Sequence, residues 1–293
     1  MISIRVEVFS DTLCPWCYIG KKHLDQAIYL FRQQHPNVVF EVEWKPFYLY
    51  PNLERIRQPK TRLMEPIPPE IQNHIMQAGS RAGIAFQLNA GTTGPSAASH
   101  ALLKLALQYS VPSAFSSPSP TTSVHASSSS SGYYPGISPG SNSMSSPVFY
   151  PPSYPSPQSR LLDALFAAHF ERGQDISSPV LLITLAEESG ISRQDAQHIL
   201  SNDLAIRETD VDAAYSGTRV QGIPTFIIQG RWKVGGMQEP GVFLGVFERA
   251  AQEEMRERTG TREHSLETVE GADSGRSRRG MSLREMLIDE TAP

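Results

Sequence analysis

Apolar and polar residues alternate at the start of the chain, where Ile2, Ile4, Val6 and Val8 are separated by Ser3, Arg5 and Glu7. A period of two predicts a strand with one face turned inward. Ser10-Asp11-Thr12 predicts a turn. A helical pattern follows from about Tyr18 to Gln34, with Ile19, Leu24, Ala27, Ile28 and Phe31 able to share a face. Pro36 stops it. Val38 to Trp44 is β-branched and aromatic and predicts a second strand.

Helical patterns dominate the middle. Pro69 to Arg81 has Pro at its start and Ile71, Ile75 and Ala78 inward. Ser96 to Gln108 predicts another helix, Leu161, Leu162, Leu165, Phe166 and Phe170 mark a third, and Pro179 to Ser189 a fourth that Gly190 ends. Ser192-Arg193-Gln194-Asp195 resembles a helix start, with Ser192 as N-cap and Ile191 as its hydrophobic staple. Asp203 to Tyr215 predicts one more helix. Thr225–Ile228 and Trp232–Val234 then flank Gln229-Gly230-Arg231 as a hairpin, and Pro240 to Met255 closes with an amphipathic helix presenting Val242, Phe243, Val246 and Phe247. The outer pieces thus read strand-helix-strand and hairpin-helix, an α/β unit with helices inserted between its halves.

Two stretches fall outside this pattern. No Asp, Glu, Lys or Arg occurs between Lys104 and Arg160, where Ser, Pro and Gly prevail. Such a composition cannot bury enough apolar surface to offset its ordering entropy. Residues 111–158 are therefore expected to be a disordered insertion, or absent from the mature coding sequence. From Arg256 onward the chain is charged and poor in apolar residues, which predicts a solvated tail with a short helix possible at Ser282 to Asp289. The expected organisation is 1–60 and 205–255 as the two halves of the α/β unit, 61–204 as the helical insertion, and 256–293 as the tail.

Charge and cysteine content narrow the function classes. A net charge of −4 over 293 residues argues against a general electrostatic attraction to nucleic acid or anionic membrane. No run of apolar residues is long enough to span a bilayer, and the N-terminus lacks the basic flank and apolar stretch of a secretory leader, so a soluble cytoplasmic protein is expected. Both cysteines sit in one motif, Cys14-Pro15-Trp16-Cys17. In a reducing compartment a close pair is more often catalytic or metal-binding than structural.

Zinc would need two further ligands, and none of the eight His residues forms a paired motif, so no metal is expected. An inert buried pair is the bland alternative. Thiol chemistry fits the position better. A thiolate attacks disulfides, so the first cysteine needs a lowered pKa and the second must lie close enough to resolve a mixed disulfide. At a strand-to-helix junction Cys14 meets the positive end of the helix macrodipole, Pro15 suits the first helical position, and Cys17 follows one turn deeper. Trp16 is not cationic and adds less thiolate stabilisation than a His would; it either shields the dithiol or offers a docking surface.

Val220-Gln221-Gly222-Ile223-Pro224-Thr225-Phe226 is a second constellation. Pro224 cannot donate to a sheet ladder, and a cis bond there would leave the Ile223 backbone free to pair with an extended substrate. An ordinary trans bond is the commoner form of X-Pro, and the residues alone favour it.

Together the two loops resemble the DsbA-like thioredoxin family, particularly its cytosolic FrnE branch. The similarity lies in Phe9-Ser10-Asp11 before Cys14-Pro15-Trp16-Cys17-Tyr18-Ile19-Gly20, in Gly222-Ile223-Pro224-Thr225-Phe226, and more weakly in Leu165-Phe166, Phe170, Gly173, Asp175-Ile176, Leu181 to Ala186 and Val234-Gly235-Gly236 with Phe243. It covers roughly residues 2–110 and 160–252. The resemblance implies a thioredoxin fold with an inserted all-helical subdomain, Cys14 as nucleophile, Cys17 as resolving thiol and Pro224 as a cis-proline opposite them. Asp11, Pro15, Trp16 and Ile223 are the supporting or substrate-binding residues it suggests. It also implies a thiol–disulfide oxidoreductase that requires no cofactor, with protein thiols and disulfides or glutathione as partners. Relatives include glutathione-dependent 2-hydroxychromene-2-carboxylate isomerases and kappa-type glutathione transferases, which typically carry Ser at the position of Cys14; the Cys here favours disulfide chemistry. A redox-switched binding module is a third possibility. Relatives often have Asn-Thr before an Ala-His-Arg step, whereas this chain has Pro95-Ser96-Ala97-Ala98-Ser99-His100-Ala101, and His100 is expected to be a satisfied interior or interfacial residue rather than a ligand. The uncharged Ser/Pro segment also departs from the family, interrupting the helical part.

Overall fold

The computed structural model describes residues 2–54, 56–109 and 156–259. The predicted 282–289 helix and nearly all of segment 111–158 lie outside the described residues. A four-stranded sheet has the order β2-β1-β5-β6, built from β1 (Ile2–Ser10), β2 (Val38–Pro46), β5 (Thr225–Ile228) and β6 (Trp232–Gly235). β1 and β2 are parallel, with Val8 beside Trp44, and β5 runs antiparallel to both β1 and β6, with Phe226 between Val8 and Val234. The helix α1 (Pro15–Gln34) makes the crossover from β1 to β2, as a parallel pair requires.

One face of the sheet carries Ile4, Val6 and Val8, all fully buried, together with their neighbours Phe40, Phe226 and Val234. Against it lie α1, through the five apolar residues its spacing predicted, and α9 (Pro240–Thr259). Phe247 on α9 joins the two, with its ring 5.6 Å from Phe31 and 4.7 Å from Phe40. Each such ring stabilises the fold by roughly 1.5–3 kcal/mol through burial. The opposite face carries Glu7 and Phe9, which meet Arg219 at the end of α8 (Asp203–Arg219). A parallel-strand crossover, a hairpin and helices on both faces define a thioredoxin fold.

The hairpin turn shows what a composition rule misses. Gln229 and Gly230, the central residues of the Ile228–Arg231 turn within the three-residue loop, both have positive φ, 52° and 67°. Gln229 tolerates it because three hydrogen bonds tie it to β1. Its N–H donates to Arg5 O, its amide donates to Ser3 O, and its side-chain oxygen accepts from Arg5 N.

Between the two halves lie α2 (Thr61–Met64), α3 (Pro69–Arg81), α4 (Ala97–Gln108), α5 (Pro157–Phe166), a π-helical turn at Ala167–Glu171, α6 (Pro179–Glu188) and α7 (Arg193–Leu200). Ser192 caps α7 by accepting from the Asp195 N–H, as its spacing predicted, and both Ile191 and Ala196 are buried. The insertion is not purely helical, because its short strand β4 (Thr92–Thr93) pairs with β3 (Gln58–Pro59) just before it. Two residues each are too short to leave a period-two signal.

A further correction concerns the edge of the low-complexity segment. Ser156 is the N-cap of α5, and Gln158, assigned from composition to segment 111–158, is a fully buried residue of that helix. Its amide acts as a strand neighbour for the outer edge of β2. It accepts from Trp44 N at 3.0 Å and donates to Trp44 O and Leu103 O, each at 3.1 Å. Gln158→Ala is expected to cost about 2–3 kcal/mol, since it strands buried backbone groups. A urea titration checks this by a lower midpoint at unchanged slope.

Candidate active site

The end of β1 feeds a tight turn that presents both cysteines. Asp11 organises it. Its carboxylate accepts from Leu13 N at 3.1 Å and Leu49 N at 2.7 Å, and its carbonyl accepts from Cys14 N at 3.1 Å. Cys14 is the N-cap residue of α1, with φ −98° and ψ 113°, and Pro15 takes the first helical position. The Cys14 carbonyl accepts from Cys17 N at 3.1 Å and starts the helix. No acidic residue lies in the first turn of α1 to offset its positive end. The Cys14 side chain makes no capping hydrogen bond to the first turn of the helix.

Both cysteines are free thiols and both are buried, Cys14 at 1% exposure and Cys17 at 0%. Exposure therefore does not separate their roles. Electrostatics separates them on the Cys17 side. Burial pushes the Cys17 thiol well above its ordinary range, and its hydrogen bond and charge interaction with Cys14 push it the same way. The Asp11 backbone and the Ser10 hydroxyl favour its anion but are outweighed. Cys17 thus stays protonated through neutral pH. Alkylation at mildly acidic pH is expected to modify Cys14 before Cys17, which peptide mapping by mass spectrometry reads directly; equal labelling would contradict the assignment.

The Ile223–Pro224 peptide bond is cis, as the resemblance implied and against the trans form that the residues alone favoured. Pro224 packs on α1 at Gly20, where a Cβ would come 3.1 Å from the proline Cγ and 3.2 Å from Phe226 Cζ. The Pro224 carbonyl accepts from Gly236 N at 2.8 Å, and Thr225 Oγ1 donates to Gly222 O at 2.7 Å. No hydrogen bond among the described residues engages the backbone of Ile223. Trp16 is half-buried, with its ring edge-on to His74 of α3 at 5.2 Å.

His100 is interior, as expected, and its partner is Asp11, 3.3 Å from Nε2 to Oδ1. Thr12 donates to Ser99 Oγ, which in turn donates to Ser96 O. The start of α4 is thereby fastened to the turn before Cys14. Sequence reasoning missed Tyr50. Its hydroxyl is sealed from solvent with no hydrogen-bond partner, and burial together with the charges of Cys14 and Asp11 raises it above the usual phenol range. Nothing in the spacing of Tyr50 points to Cys14; only the fold brings them together. Among the described residues no group of three or more His, Cys, Asp or Glu is placed to hold a metal ion.

The fold and this site define a thioredoxin-fold protein with two cysteines at a helix start and a cis-proline loop packed against the same helix. Its residues 5–115 and 149–247 match the DSBA-like thioredoxin domain, and with more than two thirds of the chain matched it belongs to that family. A crystal structure described as a probable DsbA oxidoreductase from Streptomyces coelicolor superposes with a TM-score of 0.61 at 20% identity, covering 93% of this chain and 96% of that one. A second structure, from Nitrosomonas europaea, gives a TM-score of 0.52 at 13% identity over 88% of this chain and 100% of that chain. The uncharacterized protein YwbO of Bacillus subtilis (strain 168) is 31% identical over 67 residues, 22% of this chain and 30% of YwbO.

Proposed function

We propose that the protein is a thiol–disulfide oxidoreductase. The observation that carries this is the pair of buried cysteines at the start of α1, with the Cys17 thiol held protonated by burial and a proline loop packed against the same helix. The Cys14 thiolate attacks one sulfur of a substrate disulfide. A bond forms to Cys14, the substrate S–S bond breaks, and the leaving sulfur takes up a proton. Cys17 then loses its proton and attacks Cys14 Sγ, expelling the second substrate thiol. The substrate gains two electrons and Cys14–Cys17 becomes a disulfide; the reverse sequence oxidises a dithiol. Asp11 holds the turn, Pro15 starts the helix, and Trp16 covers the side facing α3. Ile223 offers its backbone to an extended substrate, and Pro224 seats that loop on α1.

This chemistry needs no cofactor beyond the dithiol. Protein thiols and disulfides are its substrates, with glutathione a small thiol able to reset the pair and a reducing cytoplasm its setting. No helix among the described residues is long and apolar enough to cross a membrane. Insulin reduction coupled to dithiothreitol is the direct test, with turbidity expected to rise well ahead of the uncatalysed control. Absence of acceleration, with turnover of glutathione conjugates that survives Cys17→Ser, would replace this reading with a glutathione-dependent isomerase or transferase.

A further inference from the structure

Strand alternation sends one polar side chain into the apolar space beneath α1. Ile4, Val6 and Val8 of β1 face α1 and α9, and with a period of two Ser10 faces the same way. Ser10 is buried, and its hydroxyl is sealed from solvent with no hydrogen-bond partner. Its carbonyl accepts from Phe47 N at 3.0 Å, so the backbone fixes the residue and the side chain takes no part in holding it. An unpaired hydroxyl lowers stability and is uncommon in a native core.

Ser10 faces Cys17, which lies fully buried in the first turn of α1. The Ser10 hydroxyl favours the Cys17 anion, and so does the Asp11 N–H, which donates to no backbone carbonyl among the described residues. Two donors from consecutive residues at the end of β1 thus converge on one sulfur. In the resting protein that sulfur is protonated, because burial and Cys14 both oppose its charge. A thiol is a weak acceptor and leaves the Ser10 hydroxyl unengaged, whereas a thiolate takes strong, charge-assisted hydrogen bonds. The mixed disulfide shifts this balance. Once the Cys14 sulfur is bonded to substrate it carries no negative charge, and its opposition to a Cys17 anion ends. The two donors stay in place.

Resting on the oxidoreductase reading, we propose that the Ser10 hydroxyl and the Asp11 N–H form an anion hole for the Cys17 thiolate, which makes Ser10 a catalytic residue of the second half-reaction. Cys17 Sγ, its charge held by both donors, attacks Cys14 Sγ. The Cys14–Cys17 bond forms, the bond from Cys14 to the substrate sulfur breaks, and the proton that Cys17 gave up ends on the departing thiol. Ser10 keeps its own proton throughout and acts as a donor, not as a base. Donors already aimed at the place where charge develops need no reorganisation when it appears. The first attack, by Cys14, makes no use of Ser10.

The test uses the full, reduced chain in a stopped-flow reaction with one equivalent of dithiobis(nitrobenzoate). Attack by Cys14 releases the first coloured thionitrobenzoate, and attack by Cys17 on the resulting mixed disulfide releases the second. Ser10→Ala is expected to leave the first release unchanged and to slow the second by about tenfold, the effect of losing one hydrogen bond to a charged group. Because the hydroxyl has no partner to lose, the same variant should match or exceed the wild-type urea midpoint. Ser10→Thr keeps a hydroxyl on a residue type that strands accept, and should recover most of the rate of the second release. A second release as fast in Ser10→Ala as in wild type, both releases slowed alike, a lowered urea midpoint, or a Ser10→Thr variant as slow as Ser10→Ala would each overturn the anion hole while leaving the oxidoreductase reading intact. A wild-type protein that releases no second thionitrobenzoate would overturn both.

Discussion

A Cys17→Ser variant is expected to accumulate as mixed disulfides, and a Cys14→Ser variant to form none and to lose insulin-reducing activity to the uncatalysed level. The asymmetry follows from the site. Cys14 stands at the N-cap of α1, where its sulfur meets the helix's positive end, while burial holds the Cys17 thiol protonated until a disulfide to Cys14 gives it something to attack. Removing the resolving thiol leaves the first attack intact and blocks the second. Non-reducing gels and mass spectrometry of the Cys17→Ser protein should show adducts that dithiothreitol releases. If the adducts form on Cys14→Ser instead, the two roles are reversed. If neither variant is trapped, the oxidoreductase reading fails.

Lys21→Ala is expected to produce the largest loss of stability, about 3 kcal/mol, the low end for breaking a buried ion pair. Lys21 is fully buried on α1, and its ammonium lies 2.7 Å from both Asp25 and Asp163 and 5.8 Å from the Trp44 ring centre. Through Asp163 on α5 it joins the sheet-bearing half to the inserted helices. Deleting it leaves Asp25 and Asp163 repelling each other. The low end applies because the Asp163 side chain is 35% exposed and keeps Lys22 at 3.4 Å. For a folded region of this size the melting temperature should fall by about 6–12 °C. Burial alone would lower the Lys21 ammonium, but the two carboxylates outweigh it and hold it at about 12, against 10.5 for an ordinary lysine. A raised folded pKa gives stability that is complete below the unfolded value and is lost as pH climbs through the folded one. The gap between wild type and variant should therefore stay constant from neutral pH to about 10 and close toward pH 12. A gap that persists unchanged through pH 12 would show that the Lys21 charge is not its source.

Local chemistry determined much of this protein. The alternation at Ile2 to Val8, the helical spacing from Ile19 to Phe31 and the Ser192 cap each predict an element that forms, because each depends only on residues within a turn or two. The dithiol's place at a strand-to-helix junction is equally local, and so is Pro15 at the first helical position. Composition set the uncharged segment apart, yet it misjudged its end at Gln158, since a polar residue declares its burial only when its partners, here Trp44 and Leu103, are known. The cis form of Ile223–Pro224 was legible only through resemblance; the packing of the proline on Gly20 belongs to the assembled fold. Tertiary structure alone decided which distant residues complete the site. His100 reaches Asp11 across 89 positions, and Tyr50 comes up beside Cys14 from the far end of β2. Lys21 meets Asp163 across 142 positions. Contacts at such separations leave no period or motif in the chain, because they are fixed by how the helices pack on the sheet and not by the backbone between the partners.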